Sequence, residues 1–484
     1  MLIKSDIGLI GLAVMGENLV LNIESKGYRV AVYNRTLQKV NYFINSRGKN
    51  KNIIGYQSIE DLIKQLKRPR KILLMVKAGD AVDSIIGQII PFLEKGDIII
   101  DGGNSNYKDT MRRIKNVEER GFLYIGMGIS GGEEGALNGP SIMPGGSEEA
   151  WPEIKDLFQK ISAKINQNIP CCEWIGKNGA GHFVKMVHNG IEYGDMQIIC
   201  EAFHIMRDII GLSYEEMHLI FKKWNKEELN SYLIKITSEI LAYKDTNGDY
   251  LVKKILDEAG QKGTGKWTAI NALELGVPLP MITESVFARF LSSKKKERII
   301  ASKILMGPIG DMKIDKKKMI IDLKDAVYMA KIISYAQGFA LMKEASNLNK
   351  WNLNFSIIAL IWKNGCIIRS KFLDKITEVY KTNPKLDNLL VEPFFKEIIN
   401  KNQLGLRNIL RIAIMFGIPI PALGSALSYY DGYRTENLPA NLLQAQRDYF
   451  GAHTYHRIDE TEDKLFHTNW TGEGGNTTST NYKT

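Results

Sequence analysis

The side chains best suited to chemistry lie in the stretch "VKMVHNGIEYGDMQ", residues 184 to 197. Five of them recur at i, i+3, i+4, i+7 and i+8, the spacing of one helix face. They are Lys185, His188, Asn189, Glu192 and Tyr193. Amine, imidazole and carboxyl groups transfer protons, and amide and phenol groups bind hydroxyls. This face is therefore either a solvated helix surface or the wall of an active site.

Two features favour the active site. Solvated helix faces usually repeat Lys and Glu, whereas this face combines His, Asn and Tyr. Glycines at positions 179, 181, 190 and 194 lower helix propensity, and the close approach of another chain or a ligand would explain them.

A dinucleotide site is predicted near the N-terminus, where an apolar run at residues 5–10 ends in "GLAVMG". This fits G-x-A/G-x-x-G between a strand and a helix, where a tight turn brings backbone to a pyrophosphate. The predicted contacts are Gly11, Leu12, Ala13, Val14, Met15 and Gly16.

The cofactor is predicted to be NADP. The second strand ends in Asn34, Arg35 and Thr36, where an NAD site would place an acidic residue. A guanidinium there suits a 2′-phosphate, and the alternative is an exposed turn with a solvated arginine. "MVKAG" follows another strand and is predicted to present Val76, Lys77 and Ala78 to the cofactor.

A second glycine-rich segment, "GQKGTGKW" at residues 260–267, differs from a phosphate-binding P-loop at one position. Trp267 replaces the hydroxyl that holds magnesium, and a helical pattern precedes the segment where a strand is required. We expect no nucleotide triphosphate site here.

Composition indicates a soluble protein of two or three domains. The 484 residues are 44% hydrophobic and 24% charged, with a net charge of +10. The positive charge indicates either a lysine-rich surface or a basic cavity for a small polyanion, and no nucleic-acid module is evident. Four cysteines without metal spacing predict reduced thiols, no metal site and a cytoplasmic location. A strand pattern begins within six residues, so we expect no signal peptide, and no membrane span is predicted.

Three regions are predicted. Alternating strand and helix patterns over residues 1–178 indicate a Rossmann-like α/β domain with a parallel sheet and crossover helices. Residues 179–435 read as an all-helical domain with an internal duplication, since "IEYGDMQ" at 191 aligns with "ISYAQGF" at 333 and "YLIKI" at 232 with "FLDKI" at 372. Residues 436–484 form a tail with a Gly-, Thr- and Asn-rich end, either disordered or ordered by something outside its own domain.

The duplication bears on the polar helix face. A shift of 142 residues places Val327, Ala330, Lys331, Ser334 and Tyr335 at the corresponding positions. The second copy therefore lacks the lysine, histidine and carboxylate of the first, so a helix of this kind does not need them.

Nine segments of the sequence, taken together and in order, resemble the 6-phosphogluconate dehydrogenase family. They are "GLAVMG", "YNRT", "GGNS", "MGISGGEEGA", "GPSIMPGG", "KMVHNGIEYGDMQ", "KGTGKW", "ITESVFARF" and "QAQRDYFGAHTY". The resemblance runs from Ile7 to the tail. It implies NADP-dependent oxidation of 6-phosphogluconate at C3, loss of CO2, and protonation of the enediol to ribulose 5-phosphate.

The resemblance also implies residue roles. Lys185 would be the base and Glu192 the acid, which requires a lysine pKa well below ~10.4 and a raised carboxyl pKa. Substrate contacts would come from Asn104, Ser130, Gly131, Gly132, His188 and Asn189, with Asn104 also near the nicotinamide. The phosphate pocket would comprise Tyr193, Lys262, Arg289, Arg447 and His453. His456 lies close to His453 in the sequence, and the motif favours His453.

In the family the tail enters the partner subunit, so the resemblance implies a homodimer with shared active sites. Leu137 and Asn138 depart from the residues usual in the family at that loop. One alternative is a β-hydroxy acid dehydrogenase with an unphosphorylated substrate. Another is a non-catalytic NADP- or RNA-binding protein.

Overall fold

The structure, a computed structural model, describes residues 3–308, 310, 313–475 and 477–479. The chain forms two compact units, the first extending to Ala426 and the second beginning at Leu427. The predicted limits at 178 and 435 remain a prediction.

The N-terminal part of the first unit is an α/β sheet, as predicted. Its strands within the described residues are β1 (Ile7–Ile10), β2 (Val30–Tyr33), β3 (Ile53–Gly55), β4 (Lys71–Leu74), β5 (Ile98–Asp101), β6 (Leu123–Ser130), β7 (Ser141–Gly146) and β10 (Gly176–Lys177). Their order is β10-β7-β6-β5-β4-β1-β2-β3. Strands β8 (Lys164–Ile165) and β9 (Ile169–Pro170) form a separate hairpin.

The expectation of a parallel sheet is wrong at one strand. β7 pairs antiparallel with β6, whereas the other neighbours in the sheet pair parallel. Residues 131–140 are too short for the usual parallel crossover of a dozen or more residues, so the chain returns beside β6.

Helices cover both faces of the sheet. Successive side chains of a strand point to opposite faces, so there is one hydrophobic core on each side. Leu9 and Leu73 belong to one core, and Ile10 and Leu74 to the other. The helices of this part are α1 (Val14–Ser25), α2 (Leu37–Asn45), α3 (Ile59–Lys64), α4 (Asp80–Ile89), α5 (Tyr107–Glu118), α6 (Gly132–Asn138) and α7 (Trp151–Ile161). Leu137 of α6 packs against the first core.

The remainder of the first unit is helical and follows the predicted repeat. The first series is α8 (Ala180–Asp208), α9 (Tyr214–Trp224), α10 (Tyr232–Ala242), α11 (Thr264–Glu274), α12 (Pro280–Ser292) and α13 (Lys295–Ile304). The second is α14 (Lys316–Asn349), α15 (Phe355–Ile361), α16 (Leu373–Thr382), α17 (Pro393–Met415) and α18 (Pro421–Tyr433), the last ending in the second unit. The aligned segments "YLIKI" and "FLDKI" open α10 and α16.

Two of the glycines of α8 are explained by the close approach of the chain's own helices. A Cβ at Gly190 would lie 2.6 Å from Thr268 Cγ2, and one at Gly194 would lie 2.6 Å from Ser334 Oγ. These glycines therefore let α11 and α14 pack closely against α8.

The second unit contains α19 (Ala440–Gly451) and the segment that follows it. Asp448, fully buried, accepts hydrogen bonds from the Thr454 and Thr468 N–H groups and the Trp470 indole. The described part of the tail is thus organised around one carboxylate. Among the described residues, no helix combines the length and apolar character needed to cross a membrane.

Candidate active site

Helix α8 carries the polar face, and its first turns lie across β6. A Cβ at Gly128 would lie 2.4 Å from Lys185 Cβ, so the glycine makes room for the lysine at the sheet. Lys185 is 5% exposed and His188 fully buried. The face predicted as either solvated surface or active-site wall is therefore not a solvated surface.

A chain of hydrogen bonds links this face to the end of β6. His188 Nε2 lies 3.2 Å from Ser130 Oγ, and His188 Nδ1 lies 3.2 Å from Asn189 Oδ1. Asn189 in turn donates to Thr264 Oγ1 at 3.1 Å, which leaves its oxygen for the imidazole. His188 Nδ1 then carries the proton and Nε2 accepts from the Ser130 hydroxyl.

Burial sets the protonation states of the Lys185 amine and the His188 imidazole. It lowers the pKa of the Lys185 amine to about 8, against the opposing attraction of Glu192. Burial, reinforced by the charge of Lys185, lowers the pKa of His188 well below its usual value. The imidazole is therefore neutral, and the amine, 3.5 Å from its Nδ1, exchanges protons near neutral pH.

Glu192 lies two turns along α8 from Lys185, and its side chain is 21% exposed. Burial raises the pKa of this carboxyl, while the charges of Lys185 and Arg289 lower it in part. Its Oε2 lies 3.8 Å from His188 Nδ1. The helix thus presents an easily deprotonated amine and an easily protonated carboxyl on one face.

Beside Glu192, the Arg289 guanidinium carbon lies 3.4 Å from the centre of the Tyr193 ring. The guanidinium also donates to Gly260 O at 3.2 Å, so α12 is tied to the loop before α11. That loop carries Lys262, an exposed cation whose charge influences both Lys185 and Glu192. These three polar residues form a region suited to an anion.

A cavity of about 980 Å³ adjoins this region. One side is formed by the glycine-rich turn and Asn104, and the other by Lys262, Lys266 and Trp267. Ile129 also lines it, directly before Ser130 of the hydrogen-bonded chain. The segment with the near-P-loop spacing therefore faces the predicted dinucleotide site. It is preceded by a short 3₁₀ turn, Leu251–Lys254, in place of the expected helix.

A second cavity of about 340 Å³ is lined by Asn34, Arg35 and Thr36 together with part of the turn. All the predicted cofactor contacts line one cavity or the other. The Leu12 N–H donates to Asn34 Oδ1 at 3.0 Å, which fixes the turn against β2. A Cβ on Gly11, at φ 111°, would lie 2.4 Å from Met75 O, so only glycine fits.

These surfaces fit a phosphorylated dinucleotide. Helix α1 begins at Val14 with no side-chain cap on its first turn, so backbone N–H groups remain for an anion. Arg35 is exposed at the rim of the smaller cavity.

Gly131 and Gly132 open α6 beside Ser130, and Gly131 packs close to Gly365.

Arg447 and His453 lie in the second unit, on α19 and just after it. Arg447 donates to Gln444 there, and the His453 ring lies 6.0 Å from that of Phe450.

Sequence reasoning missed several residues around the site. Thr264 holds Asn189, the Ile367 N–H donates to Ser130 Oγ at 3.5 Å, and the Trp362 ring lies 5.6 Å from that of His188. Thr264 lies in the near-P-loop segment, for which the sequence analysis predicted no nucleotide triphosphate site. No local sequence pattern identifies Trp362 or Ile367 as site residues.

Comparison with known proteins gives one consistent result. Residues 6–176 match the NAD binding domain of 6-phosphogluconate dehydrogenase, and residues 181–470 match its C-terminal domain. The chain is 57% identical to decarboxylating 6-phosphogluconate dehydrogenase from Haemophilus ducreyi, covering 100% of both chains. It is 57% identical to a Saccharomyces cerevisiae enzyme of that name, over 99% of this chain and 100% of the relative. The Plasmodium falciparum enzyme, solved with NADP+ and with 6-phosphogluconate, is 47% identical with a TM-score of 0.92, covering 96% of this chain and 100% of that one.

Proposed function

The chain belongs to the 6-phosphogluconate dehydrogenase family, and from this membership we propose how its own residues perform the reaction. It is an NADP-dependent oxidoreductase that converts 6-phosphogluconate to ribulose 5-phosphate and CO2. One observation carries the residue assignment: a buried amine with a pKa of about 8 shares a helix face with a carboxyl whose pKa is raised.

Lys185 is the proposed base. As a neutral amine it accepts the proton of the C3 hydroxyl while C3 is oxidised. The resulting ammonium then polarises the new ketone as the C1 carboxylate leaves as CO2. Burial makes the first role possible near neutral pH, because an exposed lysine would remain protonated.

Glu192 is the proposed acid, which protonates the enediol at the carbon that carried the lost carboxylate, C2 of the substrate and C1 of ribulose 5-phosphate. Seven residues separate it from Lys185, or ~10 Å along the helix axis, so the two groups flank a short sugar acid. The neutral His188, held by Asn189 and Ser130, presents fixed hydrogen-bonding groups between them. With Asn104, Gly131 and Gly132 these residues orient the carboxylate and hydroxyl end.

NADP, when bound, accepts the hydride from C3. The residues that would hold it are the turn from Gly11 to Gly16, Val76 to Ala78, and Asn104. Asn34, Arg35 and Thr36 would receive the 2′-phosphate. The uncapped α1 N-terminus and the cavity-lining position of Arg35 support this arrangement.

The substrate phosphate is proposed to bind Tyr193, Lys262 and Arg289, which lie together beside Glu192. We further propose that Arg447 and His453 of the partner subunit complete this pocket, so that the enzyme is a homodimer with shared sites. Free buried thiols at Cys171, Cys172 and Cys366 support a cytoplasmic location.

Absorbance of the reduced nicotinamide tests the function directly. We expect NADP reduction with 6-phosphogluconate, much weaker reduction of NAD, and little turnover of gluconate. Equal rates with gluconate would contradict the phosphate pocket and favour the related hydroxy acid dehydrogenases.

Subunit exchange tests the shared site. Lys185→Met and Arg447→Ala homodimers are each expected to be nearly inactive. In a randomly exchanged mixture half the dimers are hybrids, each with one intact site, so activity should return to about a quarter of wild type. A mixture of Lys185→Met with Glu192→Gln is the control, because both changes lie on one subunit's helix face. Complementation by that control, or none by the first pair, would refute the shared site.

A further inference from the structure

A basic cavity lies where the two helical copies meet. Its volume is about 460 Å³, and its charged lining residues are Lys164, Lys235, Lys363, Arg369, Lys371 and Asp374. Five cations against one carboxylate give a positive cavity that shares no residue with the proposed active site. The net positive charge is consistent with a basic cavity for a small polyanion. This cavity fits that interpretation, in addition to the basic region of the proposed active site.

The duplicated helices place two N-termini at this cavity. The Tyr232 N–H donates to Arg369 O at 3.1 Å, and the Lys371 N–H donates to Asn230 O at 3.0 Å. This reciprocal pair joins the segments that open α10 and α16. Tyr232 opens α10 and Asp374 lies in the first turn of α16, and both line the cavity, so the positive ends of two helix dipoles add to the cationic side chains.

Several of the cations lack an acidic partner. Among the described residues, Lys363 pairs with Asp374 and Lys235 with Glu239, whereas Lys164, Arg369 and Lys371 have no carboxylate partner. Arg369 instead donates to Cys366 O, with its guanidinium carbon 4.0 Å from the Tyr232 ring centre. The described part of the chain thus provides little negative charge for the cavity.

We propose that this cavity binds a phosphorylated small molecule and that its occupancy affects the substrate site. The link is the segment of residues 363–371. Both ends of this segment line the cavity, while in its middle the Ile367 N–H contacts Ser130 and the Gly365 carbonyl accepts from the Ser141 N–H at 2.9 Å. A ligand that moves Arg369 therefore displaces a neighbour of Ser130. Only this second claim rests on the proposed function.

Calorimetric titration with inorganic pyrophosphate tests the binding site. The protein is first saturated with NADPH and 6-phosphogluconate, which occupy the proposed active-site anion positions without turnover. We expect one equivalent to bind, and Lys235→Glu/Lys371→Glu to bind about 100-fold more weakly, tenfold for each reversed charge. The matched control Lys381→Glu/Lys396→Glu reverses two exposed lysines outside the lining and should bind as wild type does. No saturable binding to wild type, or equal loss in the control, would overturn the site.

The coupling has its own readout. Saturating pyrophosphate should change the KM for 6-phosphogluconate at least twofold in wild type and in the control. The Lys235→Glu/Lys371→Glu enzyme should show no such change. A change of equal size in that variant would place the effect at the active site and overturn the coupling. An inactive protein would refute the proposed function and leave the calorimetric result unaffected.

Discussion

Asp195 of α8 and Lys331 of α14 form an ion pair in which both side chains are buried. Lys331 occupies the position that corresponds, at the offset of 142 residues, to Asn189 of the first copy. The same helix position therefore holds the imidazole of the proposed active site in one copy and joins the two copies in the other. Asp195 lies one turn beyond Glu192, so the pair fixes α8 where the proposed acid projects.

Removal of one partner should destabilise the protein strongly. Lys331→Met leaves the Asp195 carboxylate buried without its counter-charge, and we expect a loss of about 3–5 kcal/mol in the free energy of unfolding. Asp195→Asn/Lys331→Met should recover most of that loss. Urea unfolding at fixed protein concentration measures both, and an equally unstable double variant would show that packing, not charge, is responsible.

The pH dependence of kcat/KM should report Lys185. A base must be unprotonated, and the pKa of the amine is about 8. We therefore expect kcat/KM to rise about tenfold per pH unit below pH 8 and to level off above it. Lys185→Met should abolish hydride transfer while NADP affinity stays near wild type, as fluorescence titration would show. A large loss of NADP affinity would contradict a role confined to the substrate.

Glu192→Gln should lower the activity of the enzyme while raising its stability at pH 8. Burial raises the pKa of the carboxyl in the folded protein, so ionisation above the unfolded pKa opposes folding. A neutral amide removes that penalty, and the urea midpoint at pH 8 should increase while the difference disappears near pH 4. Turnover should fall about 100-fold or more, because the enediol would lose its proposed acid. Lower stability at pH 8 would mean that attraction to Lys185 and Arg289 outweighs burial.

Cofactor choice should depend on Arg35. Arg35→Asp removes the proposed partner of the 2′-phosphate, and a lost charged hydrogen bond costs about 1.5–3 kcal/mol. The KM for NADP should therefore rise about 10- to 100-fold, while the KM for NAD changes little. Lys49→Asp, an exposed charge reversal outside both cavities, is the control. An unchanged ratio of the two KM values would place the specificity elsewhere.

The sequence predicted the elements whose signal is local. Short apolar runs next to turn residues predicted β1, β2 and β4, and the 3.6-residue spacing predicted the polar face of α8. The direction of β7 was missed because it depends on the length of the connection after Ser130. Ile367 was missed because 237 residues separate it from its hydrogen-bonding partner Ser130.

The glycines of α8 show another limit of sequence reasoning. Composition indicated that something approaches the helix closely, but it did not say what. Thr268 and Ser334 come from distant parts of the chain, and only the folded arrangement identifies them as the neighbours.

The tail offers a test independent of catalysis, since Asp448 organises its described part. Burial raises the pKa of this carboxyl, but hydrogen bonds from Thr468, His467 and Trp470 outweigh that effect and hold it at about 2. The folded pKa is thus below the unfolded one, so the stabilisation is present above about pH 4 and is lost as pH falls toward 2.

Asp448→Asn should remove about 1–3 kcal/mol at neutral pH, because an amide cannot accept all these bonds. Hydrogen exchange at the Thr454 and Thr468 amides should then accelerate, whereas the exposed control Asp459→Asn should leave it unchanged. Slow exchange in Asp448→Asn would show that the apolar contacts of Tyr455 and Phe466 suffice to order the segment.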